Sequence, residues 1–99
     1  MRAPLPPSVA QLEAFSRKAK GLAHPARLAI LIRLADGAET TAGDLVRNSG
    51  LAQSTVSEHL RVLREAEIVT ARHDGPRVWY RLERPALREL QAALDELVD

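Results

Sequence analysis

Residues 50–69 read GLAQSTVSEHLRVLREAEIV. On a helical wheel of about 100° per residue, Leu60 and Leu63 fall within about 40° of Val56, so residues 53–66 form an amphipathic helix. Ser54, Glu58, Arg61 and Glu65 point directly away from that stripe. Gln53, Ser57 and Arg64 lie on one flank, and His59 on the other, closer to the core. The exposed start is made of short hydrogen-bonding groups, where a solvated face ordinarily carries long Lys and Glu side chains. A helix that enters the DNA major groove needs slim N-terminal turns with groups that donate and accept. Gln pairs bidentately with adenine, Ser can serve several bases, and the N–H groups and dipole of a helix start favour phosphate. Gln53, Ser54, Thr55, Ser57, Glu58 and Arg61 are therefore the candidate recognition residues.

Upstream, Thr41 with Asp44 makes a capping box that opens a short helix, with Leu45 and Val46 inward. The stretch NSG at 48–50 ends it, because Gly50 can take a positive φ. Two helices joined by a short Gly-containing turn form a helix-turn-helix. Further upstream, Ser8 and Gln11 read as another capping box. Val9, Leu12, Phe15, Ala19 and Leu22 then recur at helical spacing to about Gly21. Pro25 suits the first turn of a second helix, with His24 as its N-cap. Leu28, Leu31, Leu34 and Ala35 read as its buried stripe, and Gly37 stops it.

Downstream the period changes from 3.6 to 2. IVTARHDGPRVWYRL, residues 68–82, has two alternating runs around Asp74-Gly75, a dipeptide that favours a type I′ hairpin turn. Val78, Tyr80 and Leu82 share one face, and Arg77, Trp79 and Arg81 the other. Pro76 cannot donate to a ladder, which keeps this strand end at a sheet edge. A hairpin beside a recognition helix is a wing, and Arg72, His73, Gly75 and Arg77 at its tip are candidates for phosphate or minor-groove contact. From Pro85 a last helix carries Leu87, Leu90, Leu94, Leu97 and Val98. These exceed what one small wing can cover, so packing on a second copy, with Val9, Leu12 and Phe15, is expected. The fold class is mainly α with a small β-hairpin, a winged helix-turn-helix in the order α-α-α-α-β-β-α. A flexible arm over residues 1–7 precedes the domain, residues 8–99.

Composition bounds the alternatives. Ninety-nine residues, 45% hydrophobic, make one small core. The net charge of +1 is unevenly spread: residues 1–35 carry six Lys/Arg against Glu13 alone, while 85–99 carry one against four acids. A local basic excess suits a polyanionic partner. The absence of cysteine removes disulfides, thiolate metal sites and thiol redox sensing. No run approaches the roughly 20 apolar residues of a membrane span, and the opening MRAPLPPS lacks the apolar segment of a signal peptide, so a cytoplasmic location is expected. Three aromatic residues leave little for stacking single-stranded nucleic acid. Ser57 and His59 point to different sides of their helix, and no acid, oxyanion loop or phosphate loop accompanies them, so no catalysis is expected.

LAHPARLAILIRLADG, GLAQSTVSEHLRVLREAEIV and RHDGPRVWYRL together resemble the signature blocks of the ArsR/SmtB family of bacterial winged-helix regulators, over about residues 9–98. The resemblance implies a homodimer built from the first and last helices. It implies binding to double-stranded DNA at a near-palindromic operator, usually as a repressor, with base contacts from the positions of Gln53, Ser54, Ser57 and Glu58. Two departures stand out. Ala52 replaces a frequent Ser or Thr cap, at a cost of about 1 kcal/mol, and Glu58 turns a negative charge towards DNA.

Many such regulators sense metals, but TAGDLVRNSG holds no cysteine and RPALRELQAALDELVD no histidine, the two places where familiar metal sites of the family would lie. No cofactor is expected. His24, His59 and His73 each have a separate structural explanation, with His24 the weak candidate for an unorthodox divalent site. A small-molecule effector, a nickel or zinc response, activation instead of repression, and a winged helix used for protein–protein contact are the alternatives.

Overall fold

The structure, a computed structural model, describes residues 8–98; the arm expected over residues 1–7 lies outside the described residues, as does Asp99. Five helices, α1 (Val9–Leu22), α2 (Pro25–Leu34), α3 (Ala42–Ser49), α4 (Gln53–Glu65) and α5 (Arg84–Val98), surround a small antiparallel sheet. The sheet is formed by β1 (Thr40–Thr41), β2 (Val69–Asp74) and β3 (Arg77–Leu82), in the order β1-β3-β2. The winged helix-turn-helix order is present, with β1 inserted ahead of α3.

The termini form where the local chemistry directs them. Ser8 Oγ accepts from Gln11 N at 3.1 Å and Gln11 Oε1 accepts from Ser8 N at 2.7 Å, a complete capping box at the start of α1. Thr41 caps α3, but the reciprocal half is missing, because the Asp44 carboxylate is taken by Arg47. Gly50, at φ 72°, ends α3 in the left-handed region and lets the chain turn into α4. Ala52 offers α4 no side-chain cap.

The core gathers Ile30, Leu31, Leu34, Leu45, Val56, Leu60, Leu63, Ile68, Val69, Tyr80 and Leu82. The expected stripe of α2 is corrected. Ile30, Leu31 and Leu34 are buried, whereas Ala35 is exposed, Leu28 is 44% exposed and Ile32 76%. In LAILIRL nearly every position is apolar, so periodicity alone could not choose the face.

The hairpin turn is also corrected. Asp74 pairs with Arg77 across the ladder, so the two central residues are Gly75 and Pro76. Gly75 is at φ 58° and Asp74 has no positive φ. A positive φ followed by the fixed negative φ of proline is the pattern of a type II′ turn rather than I′. Pro76 sits in the turn itself; β1 and β2 are the edge strands, and because β1 pairs with β3 only at Tyr80 and Trp79, the Arg77 end of β3 has no strand on its second side.

Candidate nucleic-acid interface

Helix α4 is held from behind. Val56, Leu60 and Leu63 are sealed in the core, so the face bearing Gln53, Ser54, Thr55, Ser57, Glu58 and Arg61 is directed outward, and all six are exposed. Because Ala52 contributes no cap, the first N–H groups of α4 have no side-chain acceptor from that position. Gln53, Ser54, Thr55 and Ser57 form no side-chain hydrogen bond among the described residues, which leaves their donors and acceptors available to an external partner.

Glu58 and Arg61 are otherwise engaged. Arg61 bridges Glu58 and Glu65 along the outer face of α4. Its guanidinium holds the Glu58 carboxyl below the usual carboxylate range, and the two carboxylates together raise the pKa of Arg61. The outward negative charge of Glu58 is therefore paired within its own helix. The same bridge occupies Arg61, whose reach to a base or phosphate competes with two carboxylates.

On the wing, His73, Gly75 and Arg77 are exposed at the tip. Arg72 is exposed but tied down. Its Nη2 donates to Glu39 Oε1 at 2.8 Å, and its guanidinium lies 5.8 Å from the centre of the Trp79 ring. Glu39 in turn titrates below the ordinary glutamate range because Arg72 donates to it. Among the described residues Arg77 forms no ion pair, so it is the tip cation least committed to the protein itself.

Two of the three histidines, expected to be separate, meet. The rings of His24 and His59 lie 4.4 Å apart at 52°. His24 Nδ1 accepts from Ala26 N at 3.0 Å, as an N-cap should. Arg27 donates to His59 Nδ1 at 3.3 Å, and from the same guanidinium to the carbonyls of Gly21 at 3.0 Å and Lys20 at 2.9 Å. The contact between His24 and His59 spans 35 positions of chain, so no local pattern announces it. Among the described residues no three His, Cys, Asp or Glu side chains gather to hold a metal ion.

At the other end, α1 packs against α5 beside a groove of about 590 Å³ lined by Leu12, Phe15, Leu90 and Leu97 among others. Val9 is 71% exposed and Leu97 77%, with Leu12, Leu94 and Val98 also exposed. Leu87 packs partly buried against the core, and Leu90 is buried within its own chain. Among the described residues no helix is long and apolar enough to cross a membrane.

Comparison with known proteins places this geometry in context. The family model described as bacterial regulatory protein, arsR family, matches residues 24–71. The chain is 34% identical over 90 residues to the HTH-type transcriptional regulator YgaV of Escherichia coli (strain K12), covering 87% of this chain and 91% of that one. It is 45% identical over 74 residues to the biofilm growth-associated repressor of Agrobacterium fabrum (strain C58), covering 74% of this chain but 62% of that repressor. Among solved structures it is similar to the homodimeric winged helix-turn-helix DNA-binding domain of Mb0332 from Mycobacterium bovis, a possible ArsR-family transcriptional regulator. That structure is 30% identical, with a TM-score of 0.76, covering 99% of this chain and 94% of the other.

Proposed function

The chain belongs to the ArsR family of bacterial regulatory proteins, and on that premise we infer that it works in the cytoplasm as a homodimeric, sequence-specific repressor on a near-palindromic operator. The observation that carries this reading is the construction of α4. A helix sealed into the core by Val56, Leu60 and Leu63 presents Gln53, Ser54, Thr55 and Ser57 outward with their hydrogen-bonding groups unspent. That is the requirement for reading base edges in a major groove. Arg77 at the wing tip adds a cation for phosphate.

The homodimer is supported by the apolar surface shared by α1 and α5 and by the homodimeric state of the Mycobacterium bovis relative. Two-fold symmetry would set two α4 helices on one face of the duplex, about one helical turn or a multiple apart. The repressor assignment is supported by the repressor among its relatives. The test is selection from a random duplex library at physiological salt. An enriched inverted repeat with half-sites about one turn apart is the expected result; no enrichment at any salt would count against sequence reading and favour a winged helix used for protein contact.

A further inference from the structure

The recognition helix is fastened to the rest of the domain by more than apolar contact. His59, on α4 and only 8% exposed, faces the corner where α1 ends and α2 begins. Arg27 reaches into that corner from α2. Its Nε and Nη2 take the last carbonyls of α1, Gly21 and Lys20, and its Nη1 is directed at His59 Nδ1. A guanidinium can only donate, so Nδ1 of His59 must be the acceptor and the ring must be neutral, with its proton on Nε2. His24 lies 4.4 Å away ring to ring, and its Nδ1 accepts the Ala26 N–H that begins α2. One network of three side chains thus joins the end of α1, the start of α2 and the middle of α4, and its contact between Arg27 and His59 requires an uncharged His59 imidazole.

We propose that His59 is a proton-sensitive latch: neutral, it accepts from Arg27 and holds the recognition helix against the α1–α2 corner; protonated, it faces a cation it can no longer bond, and α4 loosens its hold on DNA. Protonation would turn the acceptor at 3.3 Å into a second donor beside a fixed positive charge. The groups acting on His59 are Arg27 and His24 from the α1–α2 corner and Glu58 from its own helix; α3 and β2, the other elements packed on α4, bring no charged group to it among the described residues. Burial is the largest influence and depresses the pKa of His59, His24 and Arg27 depress it further, and Glu58 opposes them. The sign follows. A histidine whose folded pKa lies below its unfolded value contributes stability that is full above about pH 6.5 and is lost as pH falls through the folded pKa. Acid therefore weakens the seat of α4.

The latch itself does not depend on what α4 binds; its consequence for DNA rests on the DNA-binding reading above. The first measurement therefore uses the free protein. In an NMR titration from pH 8 to pH 5, the His59 ring, assigned by its loss in His59→Gln, is expected to titrate below the ordinary histidine range, with the amides of residues 56–63 shifting over the same interval. A midpoint at the ordinary value with unmoved α4 amides overturns the latch. The second measures duplex affinity over the same pH range. Wild type should lose affinity on acidification, by the factor by which the docked fraction of α4 falls. His59→Gln keeps an acceptor for Arg27 without titrating, so its profile should lack that loss. Parallel acid profiles for the two proteins overturn the proposal. Should His59→Gln fail to fold, His24→Asn retains the cap of α2 and removes the neighbouring imidazole. It should raise the His59 midpoint, and an unmoved midpoint overturns the network. If the wild type binds no duplex at any pH, the DNA-binding reading fails, and the free-protein titration still decides the latch.

Discussion

Gly21 lies in the last turn of α1, where alanine would ordinarily stabilise a helix by up to about 1 kcal/mol. Here a Cβ would stand 2.7 Å from Ile68 Cδ1 and 3.2 Å from Ala66 Cβ, against a fully buried part of the core. The clash outweighs propensity, and Gly21→Ala should destabilise the domain by about 1–3 kcal/mol, measured as a lower denaturant midpoint at unchanged slope. Equal or greater stability would mean that α1 sits further from α4 than described. The outward residues of α4 obey a different logic, since among the described residues no side-chain hydrogen bond depends on Gln53 or Ser57. Gln53→Ala and Ser57→Ala should leave the melting temperature nearly unchanged and lower discrimination by about 1–3 kcal/mol for each base that is no longer read. Equal losses on selected and random duplexes would assign these side chains to the DNA backbone instead. Arg77→Ala should weaken binding to all sequences alike and make the log-affinity slope against log salt shallower by about one. An unaltered slope would take Arg77 off the phosphates.

At the scale of elements, legibility followed chain distance. The Ser8–Gln11 capping box, the Thr41 cap, the α3–Gly50–α4 turn and the outward face of α4 were legible because each is set by residues within a few positions of one another. Strand β1 was not, because two residues carry no period and Thr40–Thr41 becomes a strand only by pairing with Tyr80 and Trp79. The turn centre shifted by one residue because Pro76, with its fixed φ, accepts the second position of a II′ turn, and the Asp74-Gly75 signal concealed that alternative. The site shows the same division. Exposure of the α4 face followed from its wheel, whereas the Arg72–Glu39 pair, 33 positions apart, and the His24–His59 contact could not be read locally. The Glu58–Arg61–Glu65 chain lies within one helix, at the i, i+3 and i, i+4 spacings where such pairs form. With two carboxylates to one guanidinium, it leaves this outer edge of α4 with a residual negative charge. Glu58→Gln removes one carboxylate from that edge, so affinity for random duplexes should rise by about threefold at low salt and by less at high salt. If affinity for the selected operator falls while that for random DNA rises, Glu58 accepts a hydrogen bond from a base.

For the whole molecule, the apolar surface is divided between two tasks. Core residues from α2, α3, α4 and the hairpin close on each other within one chain, and Ala86 and part of Leu87 join that closure from α5, while Leu90 is buried beside α1. The outer side of α1 and the end of α5 remain open, with Val9, Leu12, Leu94, Leu97 and Val98 in water in the single chain, as are Leu28 and Ile32 on α2. Burying one such leucine fully is worth about 1.5–3 kcal/mol, and a two-fold interface buries each side chain twice. Leu97→Glu should therefore raise the dimer dissociation constant by at least about a hundredfold. Because Leu97 is 77% exposed in the single chain, the fold of each protomer should not need it. Sedimentation equilibrium should show the substituted protein as a monomer at concentrations where the wild type is dimeric, with an unchanged circular dichroism spectrum. Operator affinity should fall with it, since two half-sites would no longer be bound by one particle, while affinity for a single half-site should hold. A dimer that survives Leu97→Glu would place the interface elsewhere, and the exposed Leu28 and Ile32 on α2 would be the next surface to substitute.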